Sequence, residues 1–226
     1  MSSEVFKYFV SETGEIIMKV AVVAANGKAG KLIVKEAAER GHDVVAFARG
    51  ENKTVASNYV SKDILEITAE DLKGFDVVID AFGVRSEEAL PLHSTTLKHL
   101  ADVLSGSSTR LLVVGGAGSL YLDDTHTVTV SETDDFPAEY LPVVNAMKKG
   151  LSELRLRDDV KWTYVSPAGD FVADGEKTGE YLQAGEVFTL NENNESRISY
   201  ADYAVAMLDI AESGKYVRER ISVLGK

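Results

Sequence analysis

Short apolar runs and amphipathic helical patterns alternate along most of the chain. Residues 20–24 form an apolar run, residues 30–40 follow a helical pattern, and residues 42–47 are predicted to return as a buried strand. Strands alternating with helices predict one doubly wound α/β domain of Rossmann type, with a parallel sheet and helices on both faces. Further strands are predicted at residues 59–60, 76–82, 110–114, 161–165 and 221–224, and further helices at residues 68–71 (brief), 86–104, 138–157 and 200–212.

The domain is predicted to span residues 18–226, because Met18 directly precedes the first strand. Residues 1–17 are predicted to be an N-terminal extension or leader. They lack a basic start followed by a long apolar stretch, so a secretory signal is not expected.

The turn after the first strand carries two spaced glycines, Gly27 and Gly30, in the sequence AANGKAG at residues 24–30. Gly27 stands where a backbone would approach phosphates, and Gly30 stands where the helix must pack against the strand. This pattern predicts a pyrophosphate site at the helix N-terminus. Ala24 replaces the first glycine of the usual three-glycine pattern, so a slightly wider turn is expected. The alternative is a tight turn without a cofactor.

The end of the second strand indicates which nicotinamide cofactor is preferred. NAD sites commonly place an acid here for the ribose 2′-hydroxyl, whereas a cation accommodates the 2′-phosphate of NADP. The strand ends in Arg49, Glu51 comes late, and Lys53 follows closely. We therefore expect NADP(H) to be favoured over NAD(H), with Arg49 as the planar donor. Lys53 is either a helper or a solvated loop charge.

Composition and charge exclude several classes of protein. A formal net charge of −12 over 226 residues disfavours nucleic-acid binding. Cysteine is absent, which excludes disulfides, thiol catalysis and cysteine metal sites. No run of 18 apolar residues predicts a membrane span, and the four histidines form no metal motif. We expect a cytoplasmic protein that binds a small-molecule acceptor. We expect no metal site and no binding to nucleic acid or membranes.

The carboxyl ends of four predicted strands should meet where ligands of open α/β sheets bind, and three of these four ends are rich in small residues. Small residues allow the backbone to lie close to a flat cofactor. The candidates from these ends are Ala25, Asn26, Gly27, Lys28, Ala29, Gly30, Ala81, Phe82, Gly83, Gly115, Gly116, Ala117, Pro167 and Ala168.

Seven blocks in family order resemble an atypical short-chain dehydrogenase/reductase, in the branch with NADH-flavin-reductase-like and NmrA-like proteins. The resemblance implies that Asp63, with Ile64 beside it, contacts the adenine, and that Arg49 contacts the ribose phosphate. Asp63 could instead be a cap or turn residue. The blocks are AANGKAG (24–30), FAR (47–49), KDI (62–64), VVIDAFG (77–83), VVGGAGSLY (113–121), WTYVSPAGDF (162–171) and RISYADYAVAMLD (197–209).

The chain departs from the family at its usual Tyr-x-x-x-Lys pair. No tyrosine is followed by lysine four residues later, and aligning Lys149 with the family lysine puts Asn145 at the tyrosine position. An amide cannot protonate a carbonyl. Flavin reduction fits this gap, since a flavin accepts hydride at a ring nitrogen and can take its proton from solvent.

The candidate catalytic residues are therefore few. Ser119 is predicted to orient the substrate, or else to cap a turn, and Lys149 is predicted to bond the nicotinamide ribose, or else to be a surface lysine. Tyr121 and Phe171, like Phe82, are predicted to form an apolar wall for the acceptor.

Two alternatives to an NAD(P)H-dependent flavin reductase remain open. One is a non-catalytic redox sensor of the NmrA-like type, which would bind the nucleotide and change its contacts with a protein partner. The other is an epimerising enzyme that retains its cofactor, which would normally need two acid-base groups.

Overall fold

The computed structural model describes residues 9–10 and 16–226. Residues 1–8 and 11–15 of the predicted extension lie outside the described residues, so the division at residue 18 stays a prediction. The strands are β1 (Phe9–Val10), β2 (Ile16–Ile17), β3 (Lys19–Val23), β4 (Asp43–Ala48), β5 (Asn58–Ser61), β6 (Val77–Asp80), β7 (Arg110–Val114), β8 (Lys161–Ser166), β9 (Asp170–Val172), β10 (Tyr181–Ala184), β11 (Arg197–Ser199) and β12 (Glu219–Gly225). The α-helices are α1 (Lys28–Glu39), α2 (Leu92–Val103), α3 (Leu141–Leu154) and α4 (Tyr200–Ser213).

The central sheet has eight strands in the order β10-β12-β8-β7-β6-β3-β4-β5. Every neighbouring pair is parallel except β10 with β12, which is antiparallel. Strand order reverses at β3, which lies between β4 and β6. A ligand crevice is expected beyond the carboxyl ends of the strands at such a reversal. The predicted doubly wound Rossmann-type fold is confirmed.

Two helices cover each face of the sheet. Ile33 of α1 and Leu208 of α4 are fully buried against Val20 and Val22 on one face. On the other face, Leu100 of α2 and Leu151 of α3 pack with a second set of buried strand residues. The central strands are buried on both faces, which explains why they form nearly continuous apolar runs in the sequence.

Several elements of the structure differ from the predicted ones in their type or in where they begin. The brief helix predicted at residues 68–71 is a turn, although Thr68 and Asp71 do bond each other. Ser86 precedes a short 3-10 turn, and α2 begins only after Pro91, because proline favours a helix start. Residues 138–140 likewise form a 3-10 turn before α3. The strands β9, β10 and β11 were not predicted. No described helix is long and apolar enough to cross a membrane.

Candidate functional site

The turn after β3 leads into the N-terminus of α1, where backbone N–H groups have no hydrogen-bond acceptor within the helix. Ala24 adopts a left-handed conformation with φ of 56°, and the Gly27 N–H donates to the Ala24 carbonyl at 3.0 Å. Gly27 is the N-cap, and no side chain in the described ranges caps this helix. The first helical bond runs from the Lys31 N–H to the Gly27 carbonyl. The N–H groups of residues 28–30 therefore lack helical acceptors and create positive potential at the sheet edge.

Gly30 packs directly against the strand end. A Cβ atom there would lie 2.8 Å from both the Ala24 carbonyl oxygen and the Ala25 Cα. Ala25 is fully buried, and its N–H donates to the Phe47 carbonyl on β4. A Cβ on Gly27 would approach the Ala24 oxygen to 3.3 Å. The geometry at Gly30 is the close helix-to-strand packing that the sequence predicted.

Asn26 joins this turn to the loop after β4. Its amide nitrogen donates to the carbonyl oxygens of Arg49 and Glu51 and lies 3.3 Å from the Tyr59 hydroxyl. Its amide oxygen accepts from the Lys53 N–H at 2.9 Å. The side chain of Asn26 is thus engaged by the protein, which leaves its main chain for a ligand. Lys28 is exposed and Ala29 is half-buried beside it.

Arg49 and Asp63 face each other at the open end of this loop. Arg49 is 82% exposed and its guanidinium lies 3.7 Å from the Asp63 carboxylate. Asp63 also accepts from the Leu65 N–H, so it caps a short 3-10 turn, and Ile64 packs partly against the core. Lys53 is exposed. The structure brings Arg49 and Asp63 together at the edge where a ribose phosphate and an adenine are predicted.

A buried carboxyl that the sequence analysis missed ends β6. Asp80 lines a small cavity of about 20 Å³ together with Phe82, His93, Met147 and Tyr164. Burial raises the pKa of Asp80 to about 6, and the one hydrogen bond from the Phe82 N–H opposes this rise only in part. An acid inside the otherwise apolar run VVIDAF was the signal that could have found it. The neighbouring candidates are Ala81, which is buried, and Gly83, which is exposed.

The glycines after β7 lie against neighbouring side chains. A Cβ on Gly115 would overlap the ring of Tyr164, and a Cβ on Gly116 would lie 3.1 Å from the Met147 sulfur. Burial raises the pKa of Tyr164 to about 12, so this phenol stays protonated at neutral pH. Ala117 is half-buried. The backbone of this loop therefore packs closely on β8 and α3.

The loop after β8 is small and partly buried. Pro167 and Ala168 are buried, and the exposed Gly169 donates its N–H to the Ser196 hydroxyl. Phe171 on β9 packs against two aromatic rings, those of Tyr200 and Tyr203, with centroids 3.8 and 4.9 Å away. Phe171 is half-buried, so part of its surface stays open.

Ser119 is held by a buried arginine from β12. The Arg220 guanidinium donates to the Ser119 carbonyl at 2.8 Å and to the Ser119 hydroxyl oxygen at 3.1 Å. Tyr121, two residues on, stacks on His126 with centroids 4.5 Å apart. Arg220 could not be found from the sequence, because it lies about a hundred residues away from Ser119.

The surface that α3 turns toward the glycine loop is apolar. Val144 and Met147 approach Gly118 and Gly116. Asn145 is exposed, and the Lys149 side chain is 66% exposed and lies 3.9 Å from Glu153. The structure therefore does not bring Lys149 into the cluster of strand ends, and its role stays a prediction. Among the described residues, no group of three or more histidines and acids could hold a metal ion.

Comparison with known proteins is consistent with this geometry. YwnB of Bacillus subtilis strain 168, which is uncharacterised, is 41% identical over 212 residues, covering 92% of this chain and 99% of YwnB. The structure of a proposed NADH-flavin reductase from Streptococcus pneumoniae TIGR4 matches with a TM-score of 0.91 and 53% identity, over 92% of this chain and all of that chain. A proposed epimerase from Bacteroides thetaiotaomicron matches with a TM-score of 0.80 and 29% identity, over 92% and 97% of the two chains.

A family model described as NAD(P)H-binding matches residues 24–211. The matched range begins at Ala24 in the glycine turn and continues into α4. The chain belongs to this NAD(P)H-binding family, which confirms the family resemblance found in the sequence.

Proposed function

Starting from membership of an NAD(P)H-binding family, we propose that the protein is an oxidoreductase that reduces a flavin or a similar planar acceptor by direct hydride transfer. Bound NADPH would supply the hydride, and solvent would supply the proton that completes the reduced flavin. NADPH is proposed as the preferred donor because Arg49 presents an exposed guanidinium at the end of the loop after β4.

The residues of the turn after β3 fit a dinucleotide. The uncapped N–H groups at the start of α1 provide donors for a pyrophosphate, and Gly27 adds no side chain above them. Asn26 holds the adjoining loop in place through its amide. Arg49 would contact the 2′-phosphate, and Asp63 would contact the adenine.

The observation that carries the proposal is the apolar surface of α3 beside the glycine loop. Val144 and Met147 contact Gly118 and Gly116, where a carbonyl reductase would need its acid. Asn145 is exposed and cannot protonate a substrate. A site of small and apolar groups can hold two flat rings in line, and hydride transfer between rings needs mainly that alignment.

A second candidate function, a nucleotide-binding redox sensor, is favoured by the same absence of a tyrosine acid from the described part of α3. Such a protein would bind NADPH and leave it intact. Both functions therefore require NADPH binding, but only the reductase oxidises NADPH.

Steady-state oxidation of NADPH with and without FMN tests the proposal. We expect FMN-dependent oxidation well above the protein-free rate, and we expect Gly27→Val to abolish both turnover and NADPH binding. A matched control is Gly185→Val, after β10, where an added Cβ has nothing within 4 Å of it. Binding of NADPH without turnover would favour the sensor, and unchanged NADPH binding in Gly27→Val would refute the phosphate site.

A further inference from the structure

Arg220 is a buried charge that bonds Ser119, a residue of the proposed acceptor site. It lies on β12, where its side chain is only 1% exposed. Arg220 lies near the start of β12, but its register partner is Tyr164 on β8. The row to which these two residues belong lies near the carboxyl ends of β3, β6 and β7. Its Nε donates to the Ser166 hydroxyl at 3.1 Å, and its two terminal nitrogens donate to Ser119. All three nitrogens of the guanidinium are thus engaged.

The chemistry of arginine determines the direction of the Ser119 hydroxyl. A guanidinium has donors and no acceptor, so the Ser119 oxygen must accept in the bond at 3.1 Å. The hydroxyl hydrogen then points elsewhere, and the described residues offer it no acceptor. Ser119 is half-buried at the edge of the glycine loop. Its hydroxyl is therefore a donor left available to a ligand.

An ion-pair network keeps Arg220 in this position. Its guanidinium lies 3.4 Å from the Glu186 carboxylate, which also accepts two bonds from Arg155 at 2.5 and 2.6 Å. Burial lowers the pKa of Arg220, but the nearby Glu186 charge opposes this, and a guanidinium stays charged at neutral pH. Arg155 also interacts with Tyr121. The network thus joins Ser119 and Tyr121, two of the residues predicted to contact the acceptor.

We propose that Arg220 is a positioning residue that makes Ser119 a dedicated hydrogen-bond donor to the acceptor. The acceptor class that this hydroxyl recognises has a lone pair on a ring nitrogen or carbonyl oxygen, as an isoalloxazine ring does. This inference rests on the proposed function, because it assigns the acceptor to the same site. Arg220 acts only through Ser119 and touches neither the hydride donor nor the acceptor.

A double-mutant cycle on FMN binding tests this dependence. The affinity of the NADP⁺-loaded protein for FMN is measured by quenching of flavin fluorescence for the unaltered protein, Ser119→Ala, Arg220→Gln and the double variant. Each single variant is expected to weaken FMN binding by about tenfold. The double variant should be no weaker than the single ones, because both changes remove one interaction. Arg220→Lys keeps the charge and should restore part of the affinity.

Controls separate positioning from folding. Ser222→Ala, on the same strand as Arg220, loses a part-buried hydrogen bond to the Gly185 carbonyl, and it should bind FMN as the unaltered protein does. If Arg220→Gln does not fold, Arg220→Lys combined with Ser119→Ala completes the cycle. If the double variant instead lost about a hundredfold in FMN affinity, the free-energy effects of the two changes would be additive, which would overturn the inference. FMN binding without turnover would overturn the proposed function alone, whereas no FMN binding by the unaltered protein would overturn both.

Discussion

The Asn26 side chain holds the main chain of Arg49, donating to its carbonyl oxygen at 3.1 Å. Since Asn26 lies in the turn after β3 and Arg49 directly follows β4, this bond joins the proposed pyrophosphate site to the proposed 2′-phosphate site. The same amide also holds Glu51 and Lys53. The guanidinium of Arg49 is exposed, but its backbone is fixed, which lowers the entropic cost of binding a phosphate.

Reversing the charge at Arg49 should change cofactor preference. Arg49→Glu is expected to weaken NADPH binding by about tenfold or more, while NADH binding should change much less, because only NADPH carries the 2′-phosphate. Titration of each cofactor by fluorescence measures both affinities. Lys53→Glu is the matched control in the same loop and should have the smaller effect. Equal losses for NADPH and NADH in Arg49→Glu would contradict the 2′-phosphate assignment.

Replacing Ala24 with glycine should stabilise the fold. A left-handed conformation at φ of 56° costs an L-residue about 1–2 kcal/mol, and glycine adopts it freely at an entropic cost of about 0.5–1 kcal/mol. We expect Ala24→Gly to raise the free energy of unfolding by about 0.5 kcal/mol in urea denaturation. Ala25→Gly, at the adjacent buried position, should lower it. Loss of stability in both variants would contradict this interpretation of the turn.

A methyl group at Gly30 should destabilise the packing of α1 on β3. The Cβ would meet backbone atoms of Ala24 and Ala25 at 2.8 Å, and backbone cannot move aside easily. We expect Gly30→Ala to lower the free energy of unfolding by about 1–3 kcal/mol. Gly83→Ala is a control for stability, since a Cβ there has nothing within 4 Å. Equal denaturation midpoints for the two variants would show that the turn tolerates the methyl group.

The buried carboxyl of Asp80 should make stability depend on pH. Its pKa rises from 3.8 to about 6 on folding, so the folded protein binds the proton more tightly than the unfolded chain. The stabilising effect of this proton is complete below pH 3.8 and is lost as the pH rises through about 6. The free energy of unfolding of Asp80→Asn, which carries no ionisable group at this position, should therefore rise relative to that of the unaltered protein between pH 4 and pH 7. The relative rise should be at most about 3 kcal/mol.

Denaturation of both proteins in urea at several pH values measures this difference. Other acids contribute equally to both proteins and cancel in the comparison. Asp124→Asn, in an exposed loop, should show no such gain. A constant difference between Asp80→Asn and the unaltered protein across this range would mean that Asp80 ionises as freely as in the unfolded chain.

The strands and the glycine turn could be predicted because their signals are local. Residues 20–23 are buried in the middle of the sheet, so their apolar run is unbroken. Gly30 lies only five or six residues from the backbone atoms that require it. The strand β10 was missed because it is a half-buried edge strand without an apolar run. The start of α2 was placed too early because Ser86 begins a separate 3-10 turn.

The polar contacts at the site could not be predicted because they join distant segments. Arg220 reaches Ser119 across 101 residues of sequence, and Glu186 approaches from a loop that no motif marks. Asp80 was missed for another reason, since it lies within an apolar run that was interpreted only as a strand. The exposure of Lys149 depends on the rotation of α3, which the sequence pattern alone did not define.

Hydride transfer from NADPH to FMN is the defining step of the proposed reductase. Equal amounts of NADPH and FMN are mixed anaerobically with excess protein, and absorbance is followed at the nicotinamide and flavin bands together. We predict equal molar losses of NADPH and oxidised FMN, faster than without protein and strongly reduced in Ser119→Ala. Binding of both compounds with neither band changing would contradict a flavin reductase.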